Sequence, residues 1–535
     1  MHVLGKKCCQ RLAVMPRPDD DAKGVPERRR IAQLRREVPA ARLVERHMFL
    51  ARSNSGSPFK SRCVTKRSRW MSKPTGAAIA RRRVPRGRPI SSSLQRLALA
   101  SFALGGCRTP TPWSFVVNLD HLGITAISVS SNGPVVVTGH YYDALPPGCE
   151  ALASSSGMDD AFVAKLSRTG TCTWAYRYGT PYEDGGSHVQ VSSSGDIYWT
   201  GVEWANSERA QSFVSKLTAE GKEQWRVRFG DAYVSVTGLA ITPRGPAISA
   251  VFHDELRVGP AKIAASGSAH DPDGTLVQFT TDGEVAWTTS IGGPGRDGID
   301  SVAVLPDGGL AVTGNLGRMS PCGTSQAATT DLAEPDAFVA WYAEDGRLRA
   351  CKRLRGSGRF EPDANSLGCA VATDRQGRTF IAGTFRGALT IGPNVLARYE
   401  ESSTRYGSYP DIFLASYDPS GELRWARRWG SVGIDDINAI AADASGVVLG
   451  GRMSRQLGPR GSALAVAYDD AGNIRWSWTF EDARSSWVKD VVTTPCGSTA
   501  LIMNAESPLE RRRDNRSTIL WLSPEGREEK YPCRP

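Results

Sequence analysis

Residues 411–451 read DIFLASYDPSGELRWARRWGSVGIDDINAIAADASGVVLGG. An alternating apolar run ends in a polar turn, Gly421 stands four residues before Trp425, and an acidic loop leads into a second alternating hairpin. Period-two alternation marks half-buried strands, and Gly in a short polar link marks a hairpin turn. The stretch therefore predicts four short strands. Its first hairpin recurs from Asp160, Gln211, Asp273, Asp336, Gly461 and Ser517, with turn glycines Gly170, Gly221, Gly283, Gly346, Gly421, Gly472 and Gly526 spaced 51 to 75 residues apart. The second hairpin also occurs seven times, first at 124–139 and last at 488–503. Repeats of this length signal a propeller or a solenoid. A four-stranded unit cannot bury both of its faces, so units pack face to face, and a closed ring hides its ends. No atypical capping repeats stand at either end, and the chain is predicted to be all-β: a seven-bladed β-propeller over 113–535, with the strand beginning at Trp113 free to pair with the last blade.

The net charge of +11 over 535 residues divides unevenly. Residues 1–107 hold 25 Lys and Arg against 6 Asp and Glu, which leaves 41 against 49 for the remainder. A basic head on an acidic body fits a targeting segment, whereas a nucleic-acid binder needs its cations on the folded surface. Arg81, Arg82, Arg83, Arg86 and Arg88 precede the uncharged run LALASFALGG and then Cys107. A basic region, a short apolar run and small residues at the cut have the anatomy of a secretory signal, and the run is well short of the ~20 apolar residues of a membrane span. Residues 71–106 are thus expected to be a signal peptide with Met71 as the start. Residues 1–70 are expected to be a basic disordered leader, or not to be translated at all.

Leu104-Gly105-Gly106-Cys107 resembles the lipobox of bacterial lipoproteins. That resemblance implies acylation at Cys107, a membrane partner through the lipid, a linker over 107–112, and a place in the cell envelope, for which the outer membrane is expected. The repeats themselves, DAFVAKLSRTG with its turn-plus-Trp hairpin and the GDIYWTG type of strand end, are similar to the seven-bladed β-propeller (SBBP) repeats of exported bacterial lipoproteins. The resemblance implies the fold; it implies no activity, since the shared features are structural. The Trp spacing also resembles the tryptophan-docking repeat of quinone-dependent dehydrogenases, but the adjacent cysteine pair common there is absent after Cys107, and no cofactor is predicted. Ala350 and Lys530 break the Trp pattern set by Trp174, Trp225, Trp287, Trp425 and Trp476. These indoles are expected to pack between blades, their N–H finding one partner each, instead of stacking on sugars.

Export permits disulfides. Cys149 and Cys322 lie in long insertions, while Cys172 and Cys351 each follow the turn of the next hairpin, so Cys149–Cys172 and Cys322–Cys351 are expected, with Cys496–Cys533 a third pair and Cys369 a buried thiol. No nucleophile elbow, zinc-protease helix or phosphate loop occurs. The remaining site candidates are the acidic loop residues Glu183, Asp184, Asp297, Asp300, Asp363, Asp435 and Asp436. Asp184, Asp297 and Asp435 each stand ten residues after a repeat Trp, which predicts equivalent places in three blades, where they either bond their own turns or hold a calcium ion. Strand alternation puts these loops on one face together with the insertions 140–159, 253–272, 315–335 and 385–410, which carry Tyr141, Tyr142, Tyr399, Tyr406 and Tyr409. Long loops in a compact domain and aromatic side chains both favour a contact surface. The expected function is a monomeric, non-catalytic envelope lipoprotein that binds a protein or glycan on this face or acts as a scaffold; the alternative is an envelope glycan hydrolase or lyase working through the acidic loops.

Overall fold

The computed structural model describes residues 122–529 apart from stretches of loop, the longest being 143–148, 150–157, 323–334, 358–365 and 506–515. All described residues belong to one compact unit. Seven antiparallel sheets follow one another, each with its four strands in chain order: blades 1 to 7 span 122–178, 185–229, 235–291, 298–357, 366–429, 436–480 and 486–529. No helix occurs among the described residues. The innermost strands pack in succession around an axis, and that of blade 7 returns to that of blade 1, which makes the array a closed ring. The seam is tied by Ile124 N–H to Ser517 Oγ and Ile127 N–H to Asp490 Oδ2, both 3.0 Å. Trp113, Cys107, Lys530 and Cys533 lie outside the described residues. The repeat seen in the sequence is offset from the blade by one hairpin. In residues 411–451, Asp411–Tyr417 and Leu423–Trp429 complete blade 5, while Asp436–Asp443 and Gly446–Met453 open blade 6.

Alternation gives each strand two apolar faces to bury, and each gap between neighbouring blades holds one apolar cluster, seven in all. Third strands such as Asp411–Tyr417 are buried along their whole length, and a fully buried Leu or Phe there stabilises by about 1.5–3 kcal/mol. All seven turn glycines of the outer hairpins have φ between 78° and 88°, the left-handed region that disfavours side chains. Their open side is occupied. A Cβ on Gly472 would stand 2.7 Å from the Trp425 ring, and Gly221, Gly283, Gly346 and Gly526 meet Trp174, Trp225, Trp287 and Trp476 in the same way. Each indole N–H donates to a backbone carbonyl of that neighbouring turn, as Trp425 does to Asp470 at 2.9 Å and Trp476 to Pro524 at 3.1 Å. The repeat Trp is therefore an interblade pin. At Ala350 the pin is missing, and its cross-strand partner Trp341 supplies the indole instead, lying against Gly421 and Tyr417.

Every innermost strand carries a β-bulge at the same place. The bulge pushes a backbone carbonyl towards the second strand, and a Cβ on Gly451 would stand 2.0 Å from Asp436 O. This close approach explains the glycine that ends most second strands. Blades diverge outward, so the outer gaps need extra filling. Hairpin Glu255–Val258/Ala261–Ala264 buries Leu256, Val258 and Ile263 between blades 2 and 3. Hairpin Ala388–Ile391/Asn394–Ala397 hydrogen-bonds to the outermost strand of blade 4, extending that sheet to six strands and packing Leu389 and Ile391 into the gap with blade 5. Cys149 packs in the gap between blades 7 and 1 and is bonded to Cys172; Cys322 packs between blades 3 and 4 and is bonded to Cys351, with Cα–Cα distances of 5.4 and 5.0 Å. The gap between blades 1 and 2 is filled instead by Tyr176, Tyr178, Arg226 and Arg228, with the Arg226 guanidinium 3.5 Å over the Tyr178 ring.

Candidate functional site

Strand alternation leaves the tight hairpin turns at one end of the ring and the longer connections at the other. Asp184, Asp297 and Asp435 occupy equivalent places just before the innermost strands of blades 2, 4 and 6. Each carboxylate bridges its own loop to the segment leaving the second strand. Asp297 accepts Gly293 N–H at 3.1 Å and Gly317 N–H at 2.7 Å; Asp184 accepts Thr180 and Trp204; Asp435 accepts Ser431 and Ser454. They are 2, 1 and 0 % exposed. Burial pushes their pKa values up to about 6 for Asp184 and Asp297 and about 7 for Asp435, against the lowering effect of those bonds. They are buttresses of the connections, one per alternate blade, and do not converge. Among the described residues no group of three or more His, Cys, Asp or Glu is placed to hold a metal ion. Asp436 is ion-paired with Arg452, Glu183 is half-buried, and Asp363 lies outside the described residues.

Of the described tyrosines of the insertions, Tyr141 is buried and the others are half-buried. Tyr141 is 1 % exposed and meets Phe162 edge-on at 6.1 Å. Tyr399 is half-buried, its N–H donates to Asp411, and the Arg428 guanidinium lies 5.7 Å from its ring. Tyr142 and Tyr409 are half-buried, and Tyr406 lies outside the described residues. The insertions were expected to stand over the loop face. Their described parts instead enter the outer gaps between blades, because apolar residues such as Leu256 and Leu389 gain more by covering the diverging strands than by facing water. Cys369 also differs from expectation: it is half-buried on the innermost strand of blade 5, and both it and Cys496 are disulfide-bonded, with partners outside the described residues.

The axis itself holds a cavity of about 180 Å³ lined by all seven innermost strands. The extra residue of each bulge is Thr125, Ser187, Thr237, Asp300, Cys369, Asn438 and Lys489 in blades 1 to 7. Bulges re-aim side chains, and three of these reach the next blade: Thr125 Oγ1 donates to Gly186 O at 2.7 Å, Thr237 Oγ1 to Ile299 O at 2.5 Å, and Asn438 Nδ2 to Val488 O at 2.8 Å. Blade 4 places the Asp300 carboxylate in the lining, beside Thr237 and Asn438 from blades 3 and 6. His188, Gln190 and Asp490 add further polar lining, His188 Nδ1 lying 3.2 Å from Thr200 Oγ1. Such a channel can hydrogen-bond a compact polar group. Of the predicted residues only Asp300 lines it. The signal in the sequence was the break of strict alternation near the start of each first strand, as in GITAISV and INAIAAD.

No protein-family model matches the chain, and comparison with curated proteins gives no match. Solved structures match this chain at low similarity. A protein of unknown function from Dyadobacter fermentans is 10% identical over 76% of this chain and 97% of its own, with a TM-score of 0.38. The β-propeller domain of the trilobed protease from Pyrococcus furiosus is 10% identical over 80% and 98%, with a TM-score of 0.39. The acylaminoacyl peptidase of Pyrococcus horikoshii is 12% identical over 77% of this chain but only 52% of its own, with a TM-score of 0.39.

Proposed function

We propose that this chain is a lipid-anchored envelope protein, attached through Cys107, whose propeller binds a protein or glycan partner without transforming it, and that the loop-side mouth of the axial channel is the contact surface. The observation that carries this reading is a contrast between positions. Pins, turn glycines and buttressing aspartates recur from blade to blade because the fold demands them. The polar residues that line the axis change chemistry at almost every blade, from His188 to Thr237 to Asp300 to Asn438. Where a repeated fold tolerates any polar residue, the particular set is free to be chosen by a ligand. Three of the loop carboxylates on which the alternative, a glycan hydrolase or lyase, rests accept backbone N–H groups: Asp184, Asp297 and Asp435. A pulldown from the native envelope with the lipidated protein tests the proposal. Asp300→Ala together with Gln190→Ala should lose the partner, and Glu344→Ala on the turn face should keep it. Retention in the double variant with loss in Glu344→Ala would place the surface at the other end. Turnover in a glycan panel that disappears in Asp297→Asn would favour the enzymatic alternative.

A further inference from the structure

We draw no further inference here: the strongest candidate, the pair of carboxylates Asp300 and Asp490 in the axial cavity, belongs to the site already described, and with both Asp490 oxygens accepting backbone N–H groups, from Ile127 and Val491, that pair singles out no ligand.

Discussion

Trp425→Ala tests whether the repeated indoles hold the ring or present a surface. Trp425 is 7 % exposed, lies between Phe380 and Tyr468, faces Gly472 of the next turn, and donates to Asp470 O at 2.9 Å. Truncation removes about 150 Å² of apolar contact, or about 4 kcal/mol at ~25 cal/mol/Å². Loss of the indole hydrogen bond adds about 1 kcal/mol. The expected destabilisation is therefore about 5 kcal/mol, at the upper end of what buried Trp→Ala changes cost, ~3–5 kcal/mol. Trp476, 8 % exposed with the same bond to Pro524, should behave alike, while half-buried Trp225 should lose about half as much by the same area argument. The assay is urea unfolding at equilibrium, read as the shift in midpoint with the slope unchanged. Destabilisation below about 1 kcal/mol in Trp425→Ala, or loss of glycan binding at an unchanged midpoint, would refute the interblade role and return the indoles to the surface.

Three further outcomes follow from the same geometry. Asp184, Asp297, Asp411 and Asp435 have folded pKa values raised by burial to about 6, 6, 6 and 7; groups raised above their unfolded value near 4 favour the folded state only while protonated, so the urea midpoint should rise as pH falls from about 7 to about 5. Glu223 and Asp307, held low by Arg226 and Arg349, act in the opposite sense only below that window, and a midpoint that falls between pH 7 and 5 contradicts the buried-carboxylate account. Cys172→Ser opens a loop of sequence separation 23 and should destabilise by roughly 3 kcal/mol, with peptide mapping of the native protein finding no free thiol at Cys149, Cys172, Cys322 or Cys351. Intact-mass measurement of protein purified from its own host should give a chain that begins at an acylated Cys107; residues 1–70 in the mature species would exclude the signal-peptide reading.

The fold was legible in the sequence because its demands repeat. A left-handed glycine receives the indole of the preceding blade, and the indole four residues later packs on the glycine of the next, so the pair recurs as that contact repeats around the ring. The two disulfides were legible for the same reason, since the same bridge serves two insertions. The candidate site was not. An aspartate ten residues after the Trp reads equally well as a ligand or as a buttress. Only the N–H groups of Gly317 and Ser454, 20 and 19 residues further along the chain, distinguish the two, and no local pattern announces them. The insertions misled in another way. Their length and tyrosines suggested a contact surface, whereas Leu256, Ile263 and Leu389 are covered by the diverging outer strands, a need that arises from ring closure and not from any segment alone.

The departure at Ala350 shows how such a ring tolerates irregularity. Read along the strand, Ala350 is a lost pin. Read across the sheet, its register partner is Trp341, buried to 5 % exposure, with its N–H on Thr379 Oγ1 at 3.0 Å and its ring 5.4 Å from Tyr417. The indole has moved to the neighbouring strand and still reaches the next blade. The hairpin 388–397 then adds to the outer edge of the same blade and closes the rest of that gap. Conservation of the gap's filling, and not of any one residue, is therefore the constraint on each interface. On that view the sequence pattern weakens where two strands can share the task, and the repeats that look least regular are not for that reason the least stable.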